Sequence, residues 1–203
     1  MGIACVIFDM DDVLCDYHVD TRIAHLAEVS GRSVDFVRRA VWETDFLDRS
    51  DRGEFSASDY LTEFGRILGY PLSRAEWVAA RKAAMPVFPD MLALVKALKQ
   101  RMPVALLTNN DHLVAETIGE LFPEIVPLFG DRLFVSASFG LAKPDPACFV
   151  ACCEAIGVLP HQAFFTDDRA ENIMGAEQAG LSGHVFSGKA GLMTALEAMG
   201  VRV

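Results

Sequence analysis

The sequence predicts an α/β fold, with a Rossmann-like parallel sheet as its core and a small all-helical cap inserted near the amino terminus. Two observations predict the sheet: short apolar runs without polar alternation, and amphipathic helical patterns between them. Strands that alternate with helices form right-handed crossover units, and such units build a parallel sheet. A third observation predicts the cap, because residues 17–87 contain helical patterns and no convincing strand.

Short apolar runs predict the individual strands. They cover residues 3–8, 104–107, 133–135, 163–165 and 184–186. None of these runs alternates with polar residues, so we expect every strand to be buried on both faces. Apolar residues recur at helical spacing between the later runs, which predicts core helices. These helical segments span residues 91–102, 149–156 and 192–199.

The amino-terminal insertion has helical patterns throughout. They cover residues 21–30, 33–41, 56–68 and 73–84. Ser56 and Ser73 each precede an acidic residue three positions later, which is the spacing of a capping box. Because the block falls between the first strand and the second, we expect residues 17–87 to form a cap above the strand ends. Residues 1–16 and 88–203 would then form the α/β core.

Composition and charge argue against several classes of function. The formal net charge is -10 and the basic residues are scattered, so we expect neither nucleic acid nor an anionic membrane surface as a partner. No apolar stretch reaches the length of a membrane span, and the first strand is too short to be a signal peptide. The five cysteines form no Cys-x-x-Cys pair, which favours a reduced cytoplasmic protein. We expect a monomer.

An acidic turn follows the first predicted strand. Asp9, Asp11 and Asp12 come directly after the apolar run. Ligands bind at the carboxyl ends of the strands in open parallel sheets. Carboxylates this close together repel each other, and a cation would offset that repulsion. A solvated turn or a helix cap is the alternative, but Asp9 follows the strand without a polar spacer. We therefore favour a functional site.

Three further polar groups each follow a predicted strand. Thr108 and Asn109 offer a hydroxyl and backbone amides that suit a phosphoryl oxygen. Lys143 precedes a helix start that Pro144 fixes, and alone it would be an exposed loop lysine. A second acidic pair ends the fourth strand, with an asparagine one helical turn later. These residues are Asp167, Asp168 and Asn172. Each group alone fits a turn or a helix cap, but all of them fall at the same sheet edge.

Taken together and in this order, the four groups resemble the motifs of the haloacid dehalogenase (HAD) superfamily of phosphohydrolases. The resemblance covers nearly the whole chain, and the helical insertion lies where subfamily I carries its first cap type, C1. Three segments look more closely like the glucose-1-phosphatase branch. They are residues 52–56, residues 140–144, and residues 164–168 together with 171–173. Asp12 departs from the pattern, because the superfamily usually has a small residue there, often glycine.

The resemblance implies a magnesium-dependent phosphatase that acts on a small phosphomonoester, a sugar phosphate or similar metabolite. It implies that Asp9 is the nucleophile and forms an aspartyl-phosphate intermediate. Asp11 would protonate the leaving oxygen and later accept a proton from water. Mg²⁺ would be held by the Asp9 carboxylate, the Asp11 backbone carbonyl and Asp168.

The remaining residues of the motifs would bind the phosphoryl group or orient other groups. Thr108 and the Asn109 backbone amide would hold phosphoryl oxygens, and Lys143 would offset the charge of the transferring group. Asp167 and Asn172 would orient Lys143 or a metal-bound water.

Other proteins share parts of this pattern. A haloacid dehalogenase uses the first aspartate on carbon and does not keep the second as acid and base, so Asp11 favours phosphate chemistry. A phosphomutase keeps Asp11 and the metal, and this alternative stays open. A signalling receiver domain has its acidic pair early in the chain, whereas here Lys143 precedes the pair. A non-catalytic binding protein on the same scaffold should have lost one of the charged residues, and all are present.

Four cap residues are candidates to meet the leaving group. Tyr17 and His18 lie at the entry to the cap, and Trp42 and Phe46 are one helical turn apart. For Trp42 and Phe46 we favour a place in the core of the cap.

Overall fold

The computed structural model describes residues 2–202, and it contains a five-stranded sheet in which all paired strands are parallel. The strands are β1 Cys5–Phe8, β2 Val104–Thr108, β3 Leu133–Val135, β4 Ala163–Asp167 and β5 Ser182–Val185. Their order across the sheet is β3-β2-β1-β4-β5. This topology confirms the predicted α/β fold, with β1 at the centre and its carboxyl end beside those of β2 and β4.

Burial differs between the central strands and the edges. Every residue of β1, β2 and β4 is buried, as their unbroken apolar runs predict. The predicted last strand is present as β5 but lies at Ser182–Val185, and its residues are half-buried to exposed. Two of the three residues of β3 are also half-buried, so the prediction of burial on both faces is wrong for both edge strands. An edge strand has only one neighbour. In β5 that single partner is β4, against which Gly183 pairs with Phe165.

A helical insertion lies between β1 and β2, as predicted. Its helices are α1 Val19–Ser30, α2 Val34–Val37, α3 Phe46–Asp51, α4 Ala57–Leu68 and α5 Arg74–Ala83. The predicted helix at 33–41 is only partly present, because α2 gives way to a π-helical turn at Arg38–Trp42. Helix α3 was not predicted, since six residues are too few to show a helical period.

The two predicted capping boxes differ in the structure. Ser73 and Glu76 form the complete reciprocal box at the start of α5. At the start of α4, Ser56 accepts a hydrogen bond from the Asp59 backbone, but the Asp59 carboxylate bonds to the Ser56 hydroxyl instead of its backbone. Both helices therefore begin where the sequence predicts.

Six further helices flank the sheet. They are α6 Pro89–Lys99, α7 His112–Leu121, α8 Val126–Phe129, α9 Pro146–Ile156, α10 Ala170–Gln178 and α11 Lys189–Ala198. The core has two parts, one on each face of the sheet. The smaller part packs the cysteine-rich face of α9 against β1 and β4, and all five cysteines are buried as free thiols. The larger part is continuous from the sheet into the insertion.

Helix α5 joins the insertion to the core. Arg74 pairs with Glu120 of α7 at 2.9 Å, and Lys82 Nζ donates to the Glu120 carbonyl at 2.9 Å. These contacts lie on either side of Arg81, which is buried. The insertion therefore packs directly over the carboxyl end of the sheet. Within residues 2–202, no helix is both long and apolar enough to span a membrane.

Candidate active site

A cavity of about 380 Å³ lies at the carboxyl ends of β1, β2 and β4, beneath the helical insertion. It is lined by most of the residues that the sequence singled out. These are Asp9, Asp11, Thr108, Asn109, Lys143, Asp168 and Asn172. Asp167 lies just beneath the lining and is fully buried. The parallel strand order brings these groups together from four separate parts of the chain.

Lys143 is the central cation of the site. Its Nζ lies 2.7 Å from Asp9 Oδ1 and 2.6 Å from Asp167 Oδ2, and it donates to the Leu107 carbonyl at 3.1 Å. The residue is only 4% exposed. Burial alone would lower the pKa of Lys143, but Asp9 and Asp167 outweigh that effect and hold the pKa above its ordinary value. The ammonium is therefore charged at neutral pH.

The backbone of Lys143 is fixed by Asn109. The Asn109 side chain accepts from the Lys143 amide at 2.9 Å and donates to the Lys143 carbonyl at 2.8 Å. From the sequence we predicted only a backbone role for Asn109. The side-chain contact spans 34 positions of the chain, so no local pattern could have indicated it.

Asp167 fixes Lys143 from the other side. Asn172 Nδ2 donates to both Asp167 oxygens, at 2.9 and 3.0 Å, and the Arg169 amide donates to Oδ1 at 2.9 Å. A buried carboxylate is stable when its lone pairs are engaged in this way. Asp167 thus contacts Lys143 directly, and Asn172 is linked to Lys143 through its bonds to Asp167.

Three carboxylates at the cavity floor could hold a metal ion. Asp9, Asp167 and Asp168 each offer an oxygen within 4.8 Å of the others. Among residues 2–202, Lys143 is the one buried lysine near this cluster. Burial, and to a smaller extent Asp167, raises the pKa of Asp9 to about 8 although Lys143 opposes the change. Burial followed by Asp167 also raises the pKa of Asp168.

The donor set fits Mg²⁺, a hard cation that takes oxygen ligands. A divalent ion would offset the excess negative charge and favour ionised Asp9. Both Asp167 oxygens already accept hydrogen bonds from protein groups. Asp9 and Asp168 are therefore better placed than Asp167 to coordinate the ion through their carboxylate oxygens.

The Asp11 side chain points toward the insertion. Its Oδ2 lies 2.7 Å from Arg81 Nη2, and its Oδ1 accepts a weak bond from Cys15 Sγ at 3.7 Å. The Arg81 guanidinium lies 4.5 Å from the centre of the Tyr17 ring. Arg81 could not be predicted from the sequence, because a single arginine in a surface helix is ordinarily solvent-exposed. The predicted Asp11 metal ligand is a backbone carbonyl, so the side-chain direction does not bear on it.

Thr108 is buried at the end of β2. Its Oγ1 accepts from Asn110 Nδ2 at 2.7 Å. That bond uses the oxygen and leaves the hydroxyl proton available to donate into the cavity. A hydroxyl held in this way suits an anionic oxygen.

Asp12 adopts a left-handed backbone conformation with φ of 60°, and among residues 2–202 it is the one non-glycine residue with positive φ. Its carboxylate accepts from the Tyr17 amide at 2.9 Å. A residue without a Cβ atom adopts the left-handed region without strain, which fits the small residue that the family resemblance implies at this point. Asp12 preserves the turn and adds a hydrogen bond.

The insertion also supplies charged groups to the cavity that were not assigned to a site from the sequence. Helix α3 and the residue after it contribute Asp48, Asp51 and Arg52. Burial, and then nearby Asp111, raises the pKa of Asp51 to about 7. Asp48 and Asp51 could not be placed at the cavity from the sequence, because the helix that carries them, α3, was not predicted.

The four cap residues proposed for the leaving group lie elsewhere or have other contacts. Phe46 stacks on Tyr60 at 5.2 Å between ring centroids, and Trp42 packs edge-on against Phe64. Their preferred place in the cap core is confirmed. His18 is half-exposed with Nε2 3.2 Å from Asp16, and Tyr17 stacks against Arg81.

The fold and the arrangement of acidic groups, threonine and lysine define a class of protein. Residues 3–180 match the haloacid dehalogenase-like hydrolases, and the chain belongs to that family. One relative is far longer than this chain: mouse acyl-CoA dehydrogenase family member 10 is 28% identical over 137 residues, which cover 64% of this chain and 12% of the relative.

Other relatives match along most of their length. Phosphatase MT3486 of Mycobacterium tuberculosis is 28% identical and covers 91% of this chain and 88% of its own. D-ribitol-5-phosphate phosphatase of Bacteroides thetaiotaomicron is 24% identical, covering 83% and 84%. A solved HAD-family enzyme of Bacteroides thetaiotaomicron, in complex with magnesium and inorganic phosphate, superimposes with a TM-score of 0.77 at 21% identity, covering 93% and 96%.

Proposed function

We propose that this protein is a magnesium-dependent phosphatase that hydrolyses a small phosphomonoester through an aspartyl-phosphate on Asp9. One observation carries the proposal: Lys143 lies between Asp9 and Asp167 at the floor of a cavity, with Asp168 beside them. The carboxylates outnumber the cation, so a divalent ion would balance the site and allow an anionic phosphate to approach Asp9. Relatives that match most of the chain are phosphatases, which supports the same reaction.

Mg²⁺, held by the Asp9 and Asp168 carboxylates and the Asp11 carbonyl, would offset the repulsion between Asp9 and an anionic phosphate. In the first step, an Asp9 oxygen forms a bond to phosphorus as the bond to the leaving oxygen breaks. Asp11 donates a proton to that leaving oxygen. In the second step, Asp11 accepts a proton from water, the water oxygen bonds to phosphorus, and the Asp9–phosphorus bond breaks to release inorganic phosphate.

The other polar groups hold the phosphoryl group during both steps. The Thr108 hydroxyl and the Asn109 amide donate to its oxygens, and Lys143 offsets the negative charge that accumulates on them. Asp167 and Asn172 keep Lys143 in place. Because one preorganised charge-stabilising donor is worth about 3–4 kcal/mol, loss of the Lys143 ammonium should lower kcat by roughly 10²–10³-fold.

The substrate and the domain division belong to the same proposal. Residues 17–87 act as a cap that excludes water above a core of residues 1–16 and 88–203. The cap side of the cavity carries Asp48, Asp51 and Arg52, which suit a leaving group rich in hydroxyls, such as a sugar or polyol. A sugar phosphate or similar metabolite is therefore the proposed substrate, with the glucose-1-phosphatase branch as the proposed relationship within the family.

The proposal predicts that purified protein releases phosphate from an aryl phosphate and that chelation of Mg²⁺ stops the release. Asp9→Asn and Asp11→Asn should be folded and inactive. Asp131→Asn is the matched control, because Asp131 is exposed and lies outside the cavity lining. Undiminished turnover by Asp9→Asn would refute the covalent mechanism.

The substrate is then identified with a panel of phosphorylated metabolites. Release of phosphate from one of them supports the proposed reaction. Formation of an isomer without release of phosphate would instead indicate a phosphomutase, and release of halide from a haloacid would indicate a dehalogenase.

A further inference from the structure

Asp11 lies at the boundary between the core and the insertion, and its carboxylate is held by a residue of the insertion. Arg81 Nη2 lies 2.7 Å from Asp11 Oδ2. The Arg81 side chain is 4% exposed, whereas 22% of the Asp11 side chain is exposed where it lines the cavity. One side of the carboxylate therefore meets a buried guanidinium and the other side meets the space for substrate.

The guanidinium itself has little freedom to move. Its face lies 4.5 Å from the centre of the Tyr17 ring. Helix α5, which carries it, is anchored at its start by the Ser73–Glu76 capping box and along its length by the bonds of Arg74 and Lys82 to Glu120. A planar cation held on a fixed helix can impose one orientation on the carboxylate that it binds.

We propose that Arg81 is a positioning residue that holds the Asp11 carboxyl group where it exchanges protons with the leaving oxygen and with water. The inference rests on the proposed function, in which Asp11 is the acid and base. Asp9 and Asp12 lie within two residues of Asp11, and their charge, like that of an incoming phosphate, repels its carboxylate. Without Arg81 the side chain would turn away from these anions toward solvent.

The contact also makes the acid and base depend on the insertion. Arg81 and Asp11 are separated by 70 positions, and the ion pair exists only when α5 is seated on the core. A misplacement of about 1 Å in a reacting group can cost roughly 10²-fold in rate. The position of the insertion therefore sets the efficiency of proton transfer as well as access to the cavity.

A purely structural ion pair is the competing explanation, since loss of one partner from a buried pair also destabilises a fold. Arg22 on α1 provides a matched control. It is equally buried, donates to the Tyr17 hydroxyl at 3.0 Å and lies over the Trp77 ring at 5.1 Å. Two of its guanidinium nitrogens have no hydrogen-bond partner, and within residues 2–202 it forms no ion pair with Asp11.

The test compares Arg81→Met, Arg81→Lys and Arg22→Met on two substrates that differ in leaving group. β-Glycerophosphate has a poor alkoxide leaving group that needs a proton, whereas para-nitrophenyl phosphate has a leaving group that departs without one. We expect Arg81→Met to lower kcat/KM by roughly 10–10²-fold for β-glycerophosphate and by less than about threefold for para-nitrophenyl phosphate. Arg81→Lys should lower kcat/KM for β-glycerophosphate less than Arg81→Met does. Arg22→Met should change kcat/KM by the same factor for both substrates.

Equal losses on both substrates in Arg81→Met, matching those of Arg22→Met, would overturn the positioning role, and so would unchanged kinetics. Thermal unfolding identifies any variant that does not fold. If Arg81→Met does not fold, Arg81→Lys is compared with the wild type instead. An equal loss of kcat/KM on both substrates in Arg81→Lys would then overturn the positioning role. If the wild-type protein with Mg²⁺ hydrolyses neither substrate, the proposed function fails and the inference fails with it. Activity in the wild type separates the two failures.

Discussion

Individual residues of the cavity floor carry more negative charge than their surroundings can neutralise. Asp9, Asp167 and Asp168 converge, and Lys143 is the buried cation among them. Burial raises the pKa of Asp9, because it disfavours the charged carboxylate more than Lys143 favours it, and the charge of Asp167 adds to the increase. Ionisation of Asp9, the proposed nucleophile, at neutral pH therefore depends on a bound divalent cation.

The same charge imbalance predicts how stability depends on pH when Mg²⁺ is removed. The folded pKa of Asp9 is about 8, above the ordinary value of 3.8, so between these values the folded protein binds a proton that the unfolded chain releases. Its contribution to stability is present at low pH and is lost as pH rises toward 8. Asp51, with a pKa of about 7, acts in the same direction.

We therefore expect metal-free Asp9→Asn to be more stable than the wild type at pH 8, with a difference that shrinks toward pH 5. Thermal unfolding in the presence of a chelator measures this difference in stability. Each kcal/mol of unfolding free energy corresponds to a shift in Tm of roughly 2–4 °C in a domain of this size. Asp131→Asn, at an exposed position outside the cavity lining, is the control variant. Identical pH dependence in the wild type and Asp9→Asn would show that Asp9 is not perturbed.

Asp12 illustrates a different property of single residues. A left-handed conformation costs a non-glycine residue roughly 1–2 kcal/mol. The bond from the Tyr17 amide to the Asp12 carboxylate offsets part of that cost. Asp12 also adds negative charge near the cavity, which strengthens the requirement for a cation.

At the level of elements, the position of Lys143 depends on the close approach of α10. A Cβ atom added at Gly175 of α10 would collide with the Pro144 carbonyl and would lie 3.1 Å from the Phe149 ring. Glycine is thus required because the helix packs directly on the backbone next to Lys143. This contact links the packing of α10 to the position of Lys143, the proposed phosphoryl-binding cation.

Gly175→Ala should displace the loop that carries Lys143. We expect kcat to fall by at least about tenfold, because the lysine leaves its contacts with Asp9 and Asp167. Steady-state kinetics and thermal unfolding measure the two effects. Gly119→Ala in α7 is the matched control, since the added Cβ meets nothing within 4 Å and alanine in a helix gains up to about 1 kcal/mol. Equal activity in the two variants would contradict this role of α10.

The elements that the sequence predicted well are those with strong periodic or unbroken apolar patterns. The strand before Asp9 and the helix that begins after Ser73 are examples. Helix α3 is too short to leave such a pattern. Charged residues of the cavity on α3 were missed for the same reason. The strand β5 was predicted two residues too late, because its first residues, Ser182 and Gly183, are not part of the apolar run.

At the scale of the whole molecule, the site forms where two parts of the chain meet. The larger hydrophobic core runs from the sheet into the insertion, so Asp11 on the core and Arg81 on α5 are brought together by that packing. The four motifs could be predicted from sequence because each follows a strand and parallel strands end at one edge. Arg81 and the Asn109 side chain could not, because their contacts depend on tertiary packing between distant positions.

The central claim is that Asp9 carries the phosphoryl group during turnover, and rapid acid quench followed by peptide mass spectrometry tests it directly. Protein mixed with Mg²⁺ and an accepted phosphate ester should yield phosphate covalently attached to the peptide that contains Asp9. Asp9→Asn, treated identically, should yield none and should not turn over. Phosphate bound at another residue, or turnover that persists in Asp9→Asn, would contradict the account.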